Sequence, residues 1–301
     1  MSTNESPSFA KPVIDISAAL QQHPPGPGFE LSDPNNPPWG VSQAFLTFAA
    51  SVLLLFFLPI LTALPYAFYK IWVFGSRPEM LAADKNFIFF SLLGMIPSHV
   101  LSFLVVWLVV TNRGRRPFWQ NLAWSWPENL GPWKNAGLAL GLPLLLLFIG
   151  LLITYLVGGS ETELDKLVNS SYRARLVTSF LAVVTGPLVE ELIYRGVLYS
   201  ALQRAIGMLW AVIIVSLLFA GVHVLQYFNN FGVIAVIVIL SVSLTLVRAR
   251  TGRLLPSFVM HVVFNGVQAL ILILQPFVEK HGSEQQAAVG FLIKSLSRFL
   301  G

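Results

Sequence analysis

Seven stretches of this chain are apolar over about the length that an α-helix needs to cross the hydrocarbon core of a bilayer. They run at 41–69, 86–111, 135–158, 176–204, 207–228, 231–247 and 254–275. Inside lipid a spanning segment has no water to bond, so each must satisfy its own backbone, and helices do that one segment at a time. The expected fold is therefore all-α: a polytopic membrane helical bundle of about seven to eight transmembrane helices. Composition agrees, with 11% of residues charged against about 25% in soluble domains. An integral multi-pass membrane location follows, the cell membrane in a bacterium or the endoplasmic reticulum in a eukaryote. Cysteine is absent, which excludes a disulfide framework, a thiol nucleophile and a cysteine-based zinc site.

Three regions lie around the spans. Residues 1–40 are polar and proline-rich, as in Pro24-Pro25-Gly26-Pro27-Gly28, and read as a disordered tail. The bundle occupies 41–275. Beyond it, 283–300 reads as an amphipathic interfacial helix, with Phe291, Leu292, Leu296, Phe299 and Leu300 on one side and Lys294 and Arg298 elsewhere. Between spans, 159–175 carries interspersed charges and reads as a short surface helix, with Ser160 and Glu163 as its capping box. The loop 112–134 mixes Arg113, Arg115, Arg116 and Lys134 with Trp119, Trp124, Trp126 and Trp133. Such a mixture suits the headgroup layer, so the net charge of +5 points to membrane lipid as partner and not to nucleic acid. With seven spans the basic loops at 113–116 and 248–253 fall on one side, with the N-terminal end. Positive-inside reasoning makes that side cytoplasmic.

Ionisable residues inside the spans demand a reason, because each costs about 2.5–3.5 kcal/mol at the bilayer centre. The segment Gly186-Pro187-Leu188-Val189-Glu190-Glu191-Leu192-Ile193-Tyr194-Arg195-Gly196 holds three of them. Glu191 and Arg195 are four apart, share a helix face and can pair. Glu190 points about 100° away from Glu191 and stays free for a site. Two further groups follow: His223 after Phe219, and His261 with Asn265, again four apart. His99 has no acidic or histidine neighbour at helical spacing and reads as a packing histidine. Ser241 and Ser243 read as helix-packing residues.

The chemistry open to such a set is hydrolysis of an acyl bond by activated water. In one form Glu190, His223 and His261 hold zinc with an open water position. In the other, Glu190 alone is the general base, His223 orients the water, and His261 and Asn265 donate to the oxyanion.

Glu190-Glu191-x-x-x-Arg195, Phe219-x-x-x-His223 and His261-x-x-x-Asn265, in this order, resemble the three motifs of the CAAX prenyl protease and bacteriocin-processing family of intramembrane proteases. The resemblance covers roughly 175–275. It implies a membrane-embedded endopeptidase acting on a peptide or lipidated-protein substrate, in some members a prenylated cysteine followed by three residues. It also implies Glu190, His223, His261 and Asn265 as the catalytic set, with Glu191 and Arg195 in support. Metal-dependent and glutamate-only mechanisms both remain open. The alternative is a non-enzymatic membrane scaffold or bacteriocin self-immunity protein that uses the same residues for packing.

Overall fold

The computed structural model describes residues 36–157, 162–224, 226–228, 230–281 and 294–295. Among them there is no strand. The main helices are α1 (Val41–Phe74), α2 (Lys85–Val110), α3 (Glu128–Val157), α4 (Glu163–Asn169), α5 (Tyr172–Ile206), α6 (Met208–Val224), α7 (Phe231–Thr251) and α8 (Leu255–His281). Six of these are long and apolar enough to cross a membrane. The shorter α6, 17 residues, extends about 26 Å at 1.5 Å per residue. The chain is an all-α, multi-pass membrane bundle. Its outward faces are apolar, as lipid requires: Leu46 is 69% and Phe57 64% exposed on α1.

At the centre lies the second half of α5, where every residue from Glu191 to Leu202 is buried. Helices α1, α2 and α6 pack around it, and their side chains join its own in the largest apolar cluster. The two basic loops meet at one end of the bundle. Leu254 N–H donates to the Ala123 carbonyl at 3.0 Å, and the rings of Trp124 and Phe258 lie 4.9 Å apart.

Helix α1 carries Pro59 within its length, and a polar group of α2 bonds its backbone close by. Ser98 Oγ donates to the Leu54 carbonyl at 2.9 Å. Gly94, where α2 is interrupted, lets the two helices touch. A Cβ there would lie 2.6 Å from Pro59 Cα and 2.9 Å from the Leu58 carbonyl oxygen.

Several sequence expectations need adjusting. Trp39, assigned to the tail, is 1% exposed, and its indole N–H donates to the Val197 carbonyl on α5 at 3.0 Å. Arg204 donates to the Pro37 carbonyl at 2.6 Å. The capping box of α4 is made by Thr162 and Asp165, two residues later than expected, because the threonine hydroxyl and the Asp165 carboxylate are what meet at the first turn. The expected interfacial helix at 283–300 lies outside the described residues, 294–295 apart, as does the tail up to residue 35.

Two outcomes follow. Gly94→Ala forces α1 and α2 apart and lowers the thermal unfolding temperature of purified protein, by an overpacking term of about 1–3 kcal/mol. Asp84 caps the start of α2, accepting from Asn86 and Phe87 N–H. Burial raises its pKa, but the Phe87 N–H, the Lys70 ammonium, the Asn86 N–H and the Tyr66 hydroxyl outweigh this and hold the carboxyl below its ordinary 3.8. A depressed folded-state pKa gives stability that is present above 3.8 and lost as pH falls through the lower folded value. Thermal unfolding below pH 4 is therefore expected to be steeper in the wild type than in Asp84→Asn.

Candidate active site

Helix α5 is not regular. Leu181–Thr185 and Glu191–Leu198 are π-helical, with i→i+5 bonding, and Gly186–Glu190 between them is α-helical. In the first π turn Gly186 N–H donates to Leu181. The next donor in that register is residue 187, and Pro187 has none. The Ala182 carbonyl is thereby left over, and Asn265 Nδ2 on α8 takes it at 2.8 Å. The irregular stretch and the amide that completes it both belong to the wall of one cavity.

The two adjacent glutamates meet opposite fates. Glu191 is fully buried and pairs with Arg195 Nη1 at 3.0 Å. Arg195, also fully buried, is held by α7: Nη2 donates to Ser241 Oγ at 2.9 Å and to the Ser241 carbonyl at 3.2 Å, and Nε to Thr245 Oγ1 at 3.3 Å. Ser241 is thus a partner of the arginine as well as a packing residue. The guanidinium also lies 4.7 Å from the centre of the Phe219 ring, within cation–π range. Glu191 Oε1 accepts a second bond from His261 Nδ1 at 3.0 Å.

Glu190 instead faces a cavity of about 350 Å³, its side chain 28% exposed. His261 Nε2 lies 3.7 Å from Glu190 Oε2. One imidazole therefore stands between a buried, arginine-paired carboxylate and a cavity-facing one. Because Nδ1 is the donor to Glu191, Nε2 is the nitrogen left for the cavity. His223 lines the same space. Its Nδ1 donates to the Phe219 carbonyl at 2.8 Å, and its ring stacks on Phe219 with centroids 4.6 Å apart, leaving its Nε2 to the cavity. Phe219 also meets His261 edge-on at 6.1 Å. This buried ring, four residues before His223, braces both histidines and the arginine at once.

The structure thus brings Glu190, His223, His261 and Asn265, drawn from α5, α6 and α8, to one cavity. It gives two of them bonds that spacing did not foretell: His261 to Glu191, and Asn265 to the Ala182 backbone. The sequence reading passed over His99. It too lines the cavity, with Nδ1 2.8 Å from Thr185 Oγ1; its partner lies 86 residues away, so no local spacing could signal it. Apolar side chains such as Val52, Leu55, Leu92, Ile193 and Val236 form most of the remaining wall.

The zinc set Glu190, His223 and His261 is not gathered into a ready-made cluster. Among the described residues no group of three histidine, aspartate or glutamate side chains is placed to hold one ion, while the Nδ1 bonds of both histidines leave each Nε2 to the cavity.

Removing the guanidinium leaves Glu191 charged and enclosed. Arg195→Met is expected to lower stability by about 3–5 kcal/mol, the usual result of breaking a buried pair on one side. The double variant Arg195→Met, Glu191→Leu should recover much of it, as read by thermal unfolding in detergent.

Comparison with known proteins agrees with this geometry. Residues 172–267, which contain all three motifs, match the family model of the Rce1-like type II CAAX prenyl endopeptidase. The chain is 26% identical over 162 residues to the membrane-embedded CAAX protease MroQ of Staphylococcus aureus (strain USA300). That alignment covers 51% of this chain and 63% of the relative, less than two thirds of its length. No solved structure matches. Through the segment that builds the cavity, this multi-pass membrane protein is similar to the CAAX prenyl endopeptidases.

Proposed function

We propose that the protein is a membrane-embedded endopeptidase in which Glu190 activates water for attack on a peptide bond. The observation that carries this reading is the pair of unlike carboxylates around His261. Glu191 is neutralised by Arg195 and fixes the ring through Nδ1. Glu190 is open to the cavity, 3.7 Å from Nε2. A carboxylate needed only for packing would have been paired or replaced, since ionisable groups within spans are expensive.

Each group has a place in the reaction. Glu190 takes a proton from water as the oxygen attacks the carbonyl carbon. His223 Nε2 orients that water. Asn265, with one amide hydrogen on Ala182, turns the other toward the developing oxyanion. His261, with Nδ1–H given to Glu191, presents Nε2 as an acceptor that steadies the proton Glu190 has taken. When the C–N bond breaks, the proton held by Glu190 passes to the leaving amine, and the carboxylate is restored. The largely apolar wall suits a substrate that carries a lipid or an apolar peptide. The family name and the relative's title point to a peptide of the CAAX type, in which an isoprenyl group on cysteine would occupy that wall.

Purified protein should cleave an internally quenched, farnesylated peptide ending in cysteine and three further residues. Glu190→Gln is expected to lower turnover by at least about 100-fold, the scale of general-base loss, with unfolding temperature unchanged. Wild-type turnover by Glu190→Gln would defeat the reading.

A further inference from the structure

Four of the polar groups in the cavity come from α5, α6 and α8. Another part of the wall is formed by α1 and α2. Its polar lining residues, among those described, are Ser51, His99 and Ser102. The Ser51 hydroxyl is enclosed by protein. His99 differs. It is 9% exposed, it is one turn from Ser102 on the same helix face, and one of its ring nitrogens is already accounted for. Nδ1 is tied to Thr185 Oγ1 at 2.8 Å.

That bond places the ring beside the reacting carboxylate. Thr185 ends the first π turn of α5, and Gly186 follows it. A Cβ on Gly186 would lie 3.8 Å from Glu190 Oε1, so the Glu190 carboxylate reaches back over the residue next to Thr185. His99 is thus anchored to the backbone step over which Glu190 lies. It comes from α2, a helix that carries none of the three motifs.

A peptide in an apolar membrane cavity brings N–H and C=O groups that need partners, because none come from lipid. The motif residues supply some of them at the scissile bond. We infer, resting on the endopeptidase reading of Glu190, that His99 supplies a further one: held through Nδ1 by Thr185, it hydrogen-bonds through Nε2 to a backbone amide group of the peptide next to the bond that is cut. A histidine read as packing is then a further residue of the active site, and Thr185 is its positioning residue.

The test uses full-length purified protein and the farnesylated quenched peptide. His99→Phe keeps the ring's bulk and removes its nitrogens. It is expected to lower kcat by about 10- to 100-fold, less than the roughly 100- to 1,000-fold for an oxyanion-hole donor because the contact is to a neighbouring amide, with KM changed by less than about threefold. His99→Gln, which keeps a polar tip, should recover part of the rate. Thr185→Val, which leaves the imidazole but frees it to turn, should fall between. Unfolding temperatures within a few degrees of wild type separate these effects from misfolding. If His99→Phe does not fold, the Gln and Val variants decide. Turnover by His99→Phe within about threefold of wild type, beside an inactive Glu190→Gln, overturns the role of His99 and leaves the endopeptidase reading standing. An active Glu190→Gln overturns both. Should the wild type cleave no peptide, diethyl pyrocarbonate labelling read by mass spectrometry decides. Labelling of His99 together with His223 is expected, and an unlabelled His99 beside a labelled His223 overturns the inference.

Discussion

The fold turns on one enclosed ion pair. Glu191 and Arg195 are both fully buried, and two charges without water demand partners. The arginine finds them on α7, in Ser241 and Thr245, and on the face of Phe219 from α6. The glutamate finds them through Oε1, which accepts from Arg195 and from His261 on α8, while Oε2 is enclosed without a hydrogen bond among the described residues. Three helices are thereby fixed around a fourth by groups that cannot be left unpaired. Once Glu191 is turned into that centre, the residue before it has to look elsewhere, and Glu190 opens on the cavity. The adjacency of the two glutamates converts a structural requirement into an orientation for the reactive group.

Much of this was legible in the residues. The apolar runs marked the helices, because lipid leaves a spanning backbone few options. The spacing of Glu191 and Arg195 marked their pairing, and its asymmetry singled out Glu190. What escaped has a common cause. The π turns in α5 change the register in which backbone groups are left over, and a regular 100° wheel does not show them. Asn265 therefore looked like a donor to substrate, whereas one of its hydrogens first completes the helix at Ala182. His99 and Trp39 escaped because their partners, Thr185 and the Val197 carbonyl, lie far along the chain. Ser160 and Thr162 both fit the local pattern of a cap, and only the turn itself decides between them.

Phe219 shows how an apolar residue can organise polar ones. It stacks on His223, meets His261 at its edge and lies under the Arg195 guanidinium. None of these contacts is strong, but together they restrict three side chains that would otherwise have several rotamers. Preorganisation of this kind is what lets hydrogen-bonding groups act on a reaction without first rearranging.

The bond from Trp39 to Val197 spans 158 residues, and that from Asn265 to Ala182 spans 83. A ribosome adding about 5–20 residues per second needs roughly 8–30 s to travel from Trp39 to Val197. During that interval α1 is already available for insertion while the surface its entry segment will grip has not been made. The irregular helix must likewise wait, with a carbonyl uncovered, until α8 emerges. The reactive cavity is therefore among the last features that biosynthesis can complete, and a chain interrupted before α8 could occupy the membrane without ever assembling it.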